Sequence, residues 1–410
     1  MIKLRDYQIE IAKQVNSLLS DFKIAYLCMQ VRTGKTLTAL HSAETYGAKN
    51  VLFVTKLKAI SSIEADYKAL SPLYKLTVIN YESLHKMDGN FDLIILDEAH
   101  CLGQFPIPAE RTKLLKEICS GLPIIYLSGT PSPENYSQLY HQFWVSSFSP
   151  WQQYAKFYAW HKHYGIPAVK FLYNRQINDY SKTKHELVLQ DIQHLMISYT
   201  QEQAGFQSFV EEEIIHLPMP DKVKWSINKL KKDKIFTTKD GNVILADTAV
   251  KEMQKVHQIC SGTVKDEDGN AILFDMSKAE YIKEKFAGKK IAIFYKYVAE
   301  MTALKWVFTD RIVTDPMAFN AAGNDAVFIS QIQSGREGIN LSTADCLIMY
   351  NIDFSAVSYW QARARLQTKD REIAAKVYWI FMQGGIEDYI YKVVSNKKDF
   401  TLNHYKKSSF

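Results

Sequence analysis

A succession of near-continuous apolar runs, separated in several places by helical stretches, constrains this chain most. In the first half they fall at residues 24–29, 50–56, 76–81, 92–97 and 123–127; in the second half at 290–295, 325–330, 346–350 and 377–382. Strands that are apolar on both faces belong to parallel sheets covered by helices on both sides. The expected fold class is therefore α/β. Where these runs end in polar residues, those residues lie at the carboxyl edge of a sheet, the edge at which open α/β sheets bind ligands.

The first run leads into Gln30-Val31-Arg32-Thr33-Gly34-Lys35-Thr36, and then into Leu37-Thr38-Ala39-Leu40, the first turns of a helix. A strand, a tight loop and a helix opened by Gly-Lys-Thr make a phosphate cradle, because the loop N–H groups and the helix N-terminus point at the anion. In this reading Lys35 reaches the β- and γ-phosphates of a nucleotide, and the Thr36 hydroxyl holds Mg²⁺. The loop departs from the general pattern at two places. Met29 stands five residues before Gly34, where the pattern has glycine, and Arg32 stands where glycine is frequent.

The fourth run ends in Asp97-Glu98-Ala99-His100. At a strand exit, Asp97 is placed to meet the same Mg²⁺, and Glu98 to orient and deprotonate a water. Upstream, Leu4-Arg5-Asp6-Tyr7-Gln8 opens an amphipathic helix with Ile9, Ala12, Val15, Leu18 and Leu19 on one face. The Gln8 carboxamide offers a donor and an acceptor, which match the edge of adenine.

Composition sets bounds. At 410 residues the chain is long enough for two or three domains, each with its own core. No segment reaches the ~18 uncharged apolar residues of a membrane span, and the first residues lack the apolar core of a signal peptide. The five cysteines have no paired spacing, which argues against a zinc site or a disulfide framework and for a reducing cytosol. The formal charge of +6 permits a polyanion partner without requiring one. Trp151, Tyr154, Phe157, Tyr158 and Trp160 form an aromatic stripe, which is expected to be core, although interleaved lysines keep nucleic-acid contact open. His161 and His163 are expected at the surface or in packing. Residues 229–234 are expected to be a solvated helix end, and 266–270 a hairpin turn.

Taken in order, the motifs resemble those of superfamily 2 helicases and translocases, specifically the DEAH-bearing Swi/Snf-like branch common in phages. Arg5-Asp6-Tyr7-Gln8 resembles the Q-type motif, residues 30–36 motif I, Asp97 to His100 motif II, and Leu127-Ser128-Gly129-Thr130-Pro131 motif III. Ile293-Phe294-Tyr295 resembles motif IV, Ser334-Gly335-Arg336-Glu337-Gly338-Ile339-Asn340-Leu341 motif V, and Gln361-Ala362-Arg363-Ala364-Arg365 motif VI. The resemblance implies two tandem RecA-like parallel-sheet domains, 1–145 and 216–410, with a helical insertion over 146–215 and ATP with Mg²⁺ in the cleft.

It also implies roles. Lys35, Asp97, Glu98, Gln361 and Arg365 would be catalytic. Arg5, Gln8, Arg32, Thr33, Gly34, Lys35, Thr36, Glu337, Gly338 and Arg365 would bind the nucleotide, with Thr36 and Asp97 on the metal. Thr55, Lys56, Asn80, Tyr81, Tyr295, Ser334 and Arg336 would face nucleic acid. Aligned on Gln361, the family's first motif VI arginine falls on Arg365, but the second, the arginine finger, falls on Thr368, which cannot supply that charge. Arg365 alone, Arg363 or Arg371 are the candidates for that role.

The activity implied is an ATP-dependent DNA helicase or translocase acting on single-stranded, forked or branched DNA in the cytoplasm, a bacterial host's if the chain is phage-encoded. Replication or recombination proteins are possible partners, and a membrane is not. Two alternatives stand beside it: a catalytically weak, ATP-gated DNA-binding accessory protein, and an RNA helicase.

Overall fold

The computed structural model describes residues 3–133, 135–172, 175–205, 210–238, 240–335, 341–355, 358–359, 362 and 375–396. The chain divides into two compact units, Met1–Phe206 and Gln207–Phe410.

In the first unit, strands β1 (Ile24–Met29), β2 (Asn50–Thr55), β3 (Lys75–Asn80), β4 (Leu93–Asp97) and β5 (Ile124–Leu127) form a sheet completed by β8 (Met196–Tyr199). The antiparallel hairpin β6 (Val169–Leu172) and β7 (Arg175–Asn178) stands apart from it. The sheet order is β3-β2-β4-β5-β1-β8, and every pairing in it is parallel.

Side chains alternate between two buried faces. Tyr26, Leu52, Val54, Ile94, Leu96, Ile124 and Tyr126 point to one; Ala25, Leu27, Val51, Phe53, Leu93, Ile95 and Ile125 point to the other. Burial on both faces is why these strands read as continuous apolar runs. Helices α1 (Asp6–Phe22) and α2 (Lys35–Tyr46) cover the second face with Ile11, Val15, Leu19, Ala39, Leu40 and Ala43. The buried stripe of α1 is rotated from the expected one, since Ile9 is exposed and Ile11 takes its place.

The first face is closed by aromatic side chains. Trp151, Phe157 and Trp160 are buried there with Tyr140 and Phe143, so the aromatic stripe is core, with only Tyr158 half exposed. His161 is packed against Tyr180. The stretch 146–215, expected as a helical insertion, is shared out instead. Its helices Phe157–Tyr164 and His185–Ile192 and strand β8 belong with the first sheet, and strand β9 (Val210–Leu217) opens the second.

The second unit holds β10 (Ile235–Thr237) paired with β11 (Val243–Leu245), and β12 (Thr263–Lys265) paired with β13 (Ala271–Leu273). Asn270 N–H donates to Asp266 Oδ1 at 2.7 Å, closing the turn between β12 and β13. The main sheet comprises β14 (Ile291–Tyr295), β15 (Ile312–Val313), β16 (Val327–Gln331), β17 (Cys346–Met349) and β18 (Ala375–Met382), in the all-parallel order β15-β16-β14-β17-β18-β9. The lysine run 229–234 ends the helix Asp221–Asp233, with Lys229 and Lys232 exposed. Among the described residues no helix is long and apolar enough to cross a membrane.

Candidate functional site

The loop between β1 and α2 turns on two residues in left-handed backbone, Arg32 at φ 64° and Gly34 at φ 79°. At Arg32 that conformation costs about 1–2 kcal/mol, and glycine adopts it without penalty. Gly34 is also the N-cap of α2, so Lys35, Thr36 and Leu37 follow as the first helical turn, whose N–H groups have no partner within the helix. Such groups and the helix dipole favour negative charge at this end of the helix.

The loop is braced from three sides. Thr33 is fully buried, and its hydroxyl donates to Gln30 O at 2.7 Å. The Tyr7 hydroxyl donates to Thr33 O at 2.9 Å, and Gln8 Nε2 donates to Gly34 O at 3.2 Å. From the end of β8, Gln201 N–H donates to Gln30 Oε1 at 2.8 Å and Gln201 Nε2 to Val31 O at 2.9 Å. Tyr199 stacks on Tyr7 with ring centroids 4.6 Å apart. Thr33, expected to touch nucleotide, thus spends its side chain on holding the loop, and Gln8 does the same. Tyr199 and Gln201 were invisible to motif reading, because their position beside the loop depends on β8 pairing with β1.

A Cβ at Gly34 would lie 2.4 Å from Gln8 Nε2. Gly34→Ala therefore combines a left-handed penalty of about 1–2 kcal/mol with a displaced brace. The expected outcome is a destabilisation of about 1–2 kcal/mol or more, read by urea unfolding of the full chain. A wild-type unfolding curve in this variant would rule out the loop conformation described.

Three charged groups meet at the carboxyl edge. Lys35 Nζ lies 2.9 Å from Glu98 Oε1 and 3.7 Å from Asp97 Oδ1. Asp97 is buried at 7 % exposure. Its Oδ2 accepts the Thr55 hydroxyl at 2.9 Å, while its Oδ1 is buried with no hydrogen-bond partner among the described residues. The Tyr81 hydroxyl donates to Asp97 O at 2.6 Å. Glu98 is held at φ 49°, a left-handed conformation that costs a non-glycine residue about 1–3 kcal/mol and turns its carboxylate back toward the loop.

Behind it, His100 Nδ1 is 3.3 Å from Glu98 Oε2 and 3.0 Å from Ser128 Oγ, which also accepts Thr130 N–H at 3.1 Å. This ties the ends of β4 and β5 together.

Burial raises the Asp97 carboxyl above its ordinary range. Burial also works to raise Glu98, but the ammonium of Lys35, then His100 and Lys56, outweigh it and hold that carboxyl at about 2.

Several residues expected to face nucleic acid are used otherwise. Thr55 is fully buried and Tyr81 nearly so, both bonded to Asp97. Asn80 is buried, with Nδ2 donating to Glu82 Oε2 at 3.1 Å. Tyr295 packs in the core of the second unit, its hydroxyl on Met301 Sδ at 3.3 Å. Thr55 and Tyr81 satisfy the buried Asp97, whereas Asn80 bonds an exposed Glu82 and Tyr295 packs on a partly buried Met301. Lys56 is half-buried just beyond β2, Arg5 is exposed beside Tyr7, and Thr36 is half-buried in the first turn of α2. Ser334 is half-buried in the turn Ile332–Gly335 after β16. Arg336, Glu337, Gly338, Gln361, Arg363, Arg365, Thr368 and Arg371 lie outside the described residues.

Compared with protein-family models and with curated proteins, the chain matches none.

Proposed function

We propose that the chain is a nucleic-acid-stimulated ATPase of the helicase or translocase type, built from two RecA-like domains and acting on DNA. The observation that carries this reading is the convergence of Lys35, Asp97 and Glu98 at the loop that leads into the first turn of α2. A loop of this kind binds phosphate, and adjacent carboxylates serve a metal and a water.

Mg²⁺ fits the residues present. Among the described residues Asp97 Oδ1 is a buried carboxylate oxygen without a hydrogen-bond partner, with Lys35 Nζ 3.7 Å away, and Thr36 follows Lys35 in the same turn. When bound, the ion neutralises phosphate charge, and Asp97 and Thr36 would hold it. The Thr55 hydroxyl on Asp97 Oδ2 holds the carboxylate that would bind the ion.

Lys35 Nζ lies 2.9 Å from Glu98 Oε1, and its ammonium, against the effect of burial, holds that carboxyl at about 2.

The test is phosphate release with single-stranded, duplex, forked and four-way DNA, and with RNA. DNA-stimulated turnover abolished by Lys35→Ala is the expected result. Wild-type turnover in Lys35→Ala removes the loop assignment. Stimulation by RNA alone favours an RNA helicase. Near-zero turnover with tight ATP-dependent DNA binding favours an accessory clamp, the reading that Thr368 motivates.

A further inference from the structure

In the second unit, where β13 leads into the helix Ser277–Lys285, lies an open pocket of about 390 Å³. Ligand pockets run from about 300 to 1,000 Å³, so this one admits a side chain or two and not a helix or strand. One wall is Trp306, on the helix Val298–Phe308. Its side chain is 74 % exposed, and among the described residues no aromatic ring or cation is stacked on it. Leu273, Phe274 and Met276, each half-buried, extend the apolar wall. Tryptophan is among the residues that carry most of the binding energy at protein interfaces.

The charged groups of the pocket are unevenly matched. Lys222 Nζ donates to Phe274 O at 2.6 Å and lies 3.0 Å from Asp275 Oδ2. Asp275 Oδ1 accepts the Ser277 N–H at 3.0 Å. Lysine and aspartate thus neutralise each other, and Glu280 is the charge that remains. It is exposed in the first turn of its helix, where the dipole favours a carboxylate. Among the described residues its carboxylate has no hydrogen bond or ion pair. One ammonium and two carboxylates leave the pocket with one net negative charge.

A group that fits is flat, cationic and compatible with an apolar wall. A guanidinium meets each requirement: it stacks on an indole face, and its fork of N–H donors matches a carboxylate. An ammonium would satisfy Glu280 but is more strongly hydrated, so it loses more on meeting Trp306. A phosphate, and with it nucleic acid, would meet an unmatched carboxylate.

We propose that this pocket docks a partner protein through an arginine side chain, whose guanidinium lies on Trp306 and bonds Glu280 while an apolar neighbour of that arginine covers Leu273, Phe274 and Met276.

The test is an NMR titration of the full chain with a capped tripeptide carrying arginine between two leucines. The indole N–H resonance of Trp306, identified by its disappearance in Trp306→Phe, reports binding. A saturable shift is expected. The counterpart carrying citrulline, uncharged and otherwise alike, should bind at least about fivefold more weakly, since it has neither the cation–π contact nor the ion pair. Glu280 is exposed, so Glu280→Gln keeps the fold, and it should weaken the arginine peptide about two- to fivefold, the worth of a rim ion pair. Acetylarginine amide, which lacks the leucines, should bind more weakly than the tripeptide. The absence of a saturable shift, equal binding of the citrulline peptide, or wild-type binding by Glu280→Gln would each overturn the proposal. Acetylarginine amide binding as tightly as the tripeptide would assign the pocket to a small free cation and overturn the protein partner. Neither probe nor readout involves a nucleotide, so each result stands apart from the ATPase reading.

Discussion

Glu98→Gln is expected to slow triphosphate hydrolysis by about 10²–10⁴-fold, the usual contribution of a positioned general base, while binding survives. A carboxamide is nearly the same size, so the left-handed turn at Glu98 and the packing around it are retained. It cannot accept the proton of an attacking water, and it carries no charge to hold Lys35, which now lies 2.9 Å from Glu98 Oε1. Losing that ion pair removes a contact that competes with phosphate for the lysine. Triphosphate affinity in the variant should therefore equal or exceed wild type. Single-turnover hydrolysis and equilibrium titration on the same preparation separate the two effects. Hydrolysis at the wild-type rate would mean that another group takes the proton. Weakened binding with unchanged single-turnover rate would mean that Glu98 shapes the loop and does no chemistry.

The second large effect concerns stability and lies in the second unit. Lys278 Nζ and Glu387 Oε1 are 2.8 Å apart, with side chains 1 % and 0 % exposed. Lys278 Nζ also lies 3.4 Å from Tyr350 O, whereas Glu387 Oε2 is buried without a hydrogen-bond partner among the described residues. Removing one member of such a pair strands a charge in the interior, which costs about 3–5 kcal/mol, while replacing both with apolar side chains is often neutral or stabilising. Glu387→Ala should thus unfold at markedly lower urea concentration. The double variant Lys278→Met with Glu387→Leu should recover most or all of that loss. Urea unfolding of the full chain followed by circular dichroism checks both. A Glu387→Ala curve overlying wild type would show that the pair is hydrated, and an equally unstable double variant would show that packing volume, not charge, sets the cost.

Much of the first unit was legible in the residues. Strands β1 to β5 could be read because burial on both faces writes itself locally as an uninterrupted apolar run, as in Leu93-Ile94-Ile95-Leu96. The tight loop before α2 could be read because Gly34, Lys35 and Thr36 are consecutive and open the helix. Strand β8 could not. Met196-Ile197-Ser198-Tyr199 is short, and its burial is only partial because it lies at the sheet edge beside β1. With β8 unread, Tyr199 and Gln201 were unread as well.

By itself the sequence determined the α/β class, the tight loop before α2 and the adjacent carboxylates at the end of β4, each a property of neighbours in the chain. The tertiary structure alone decided what the polar strand ends are for. The order β3-β2-β4-β5-β1-β8 brings the end of β2 alongside the end of β4. Thr55 and Tyr81 consequently meet a buried Asp97 whose polar groups need donors. A buried polar group must find its partner among whatever the sheet order sets beside it. That order is a long-range outcome of packing which no local pattern of residues records.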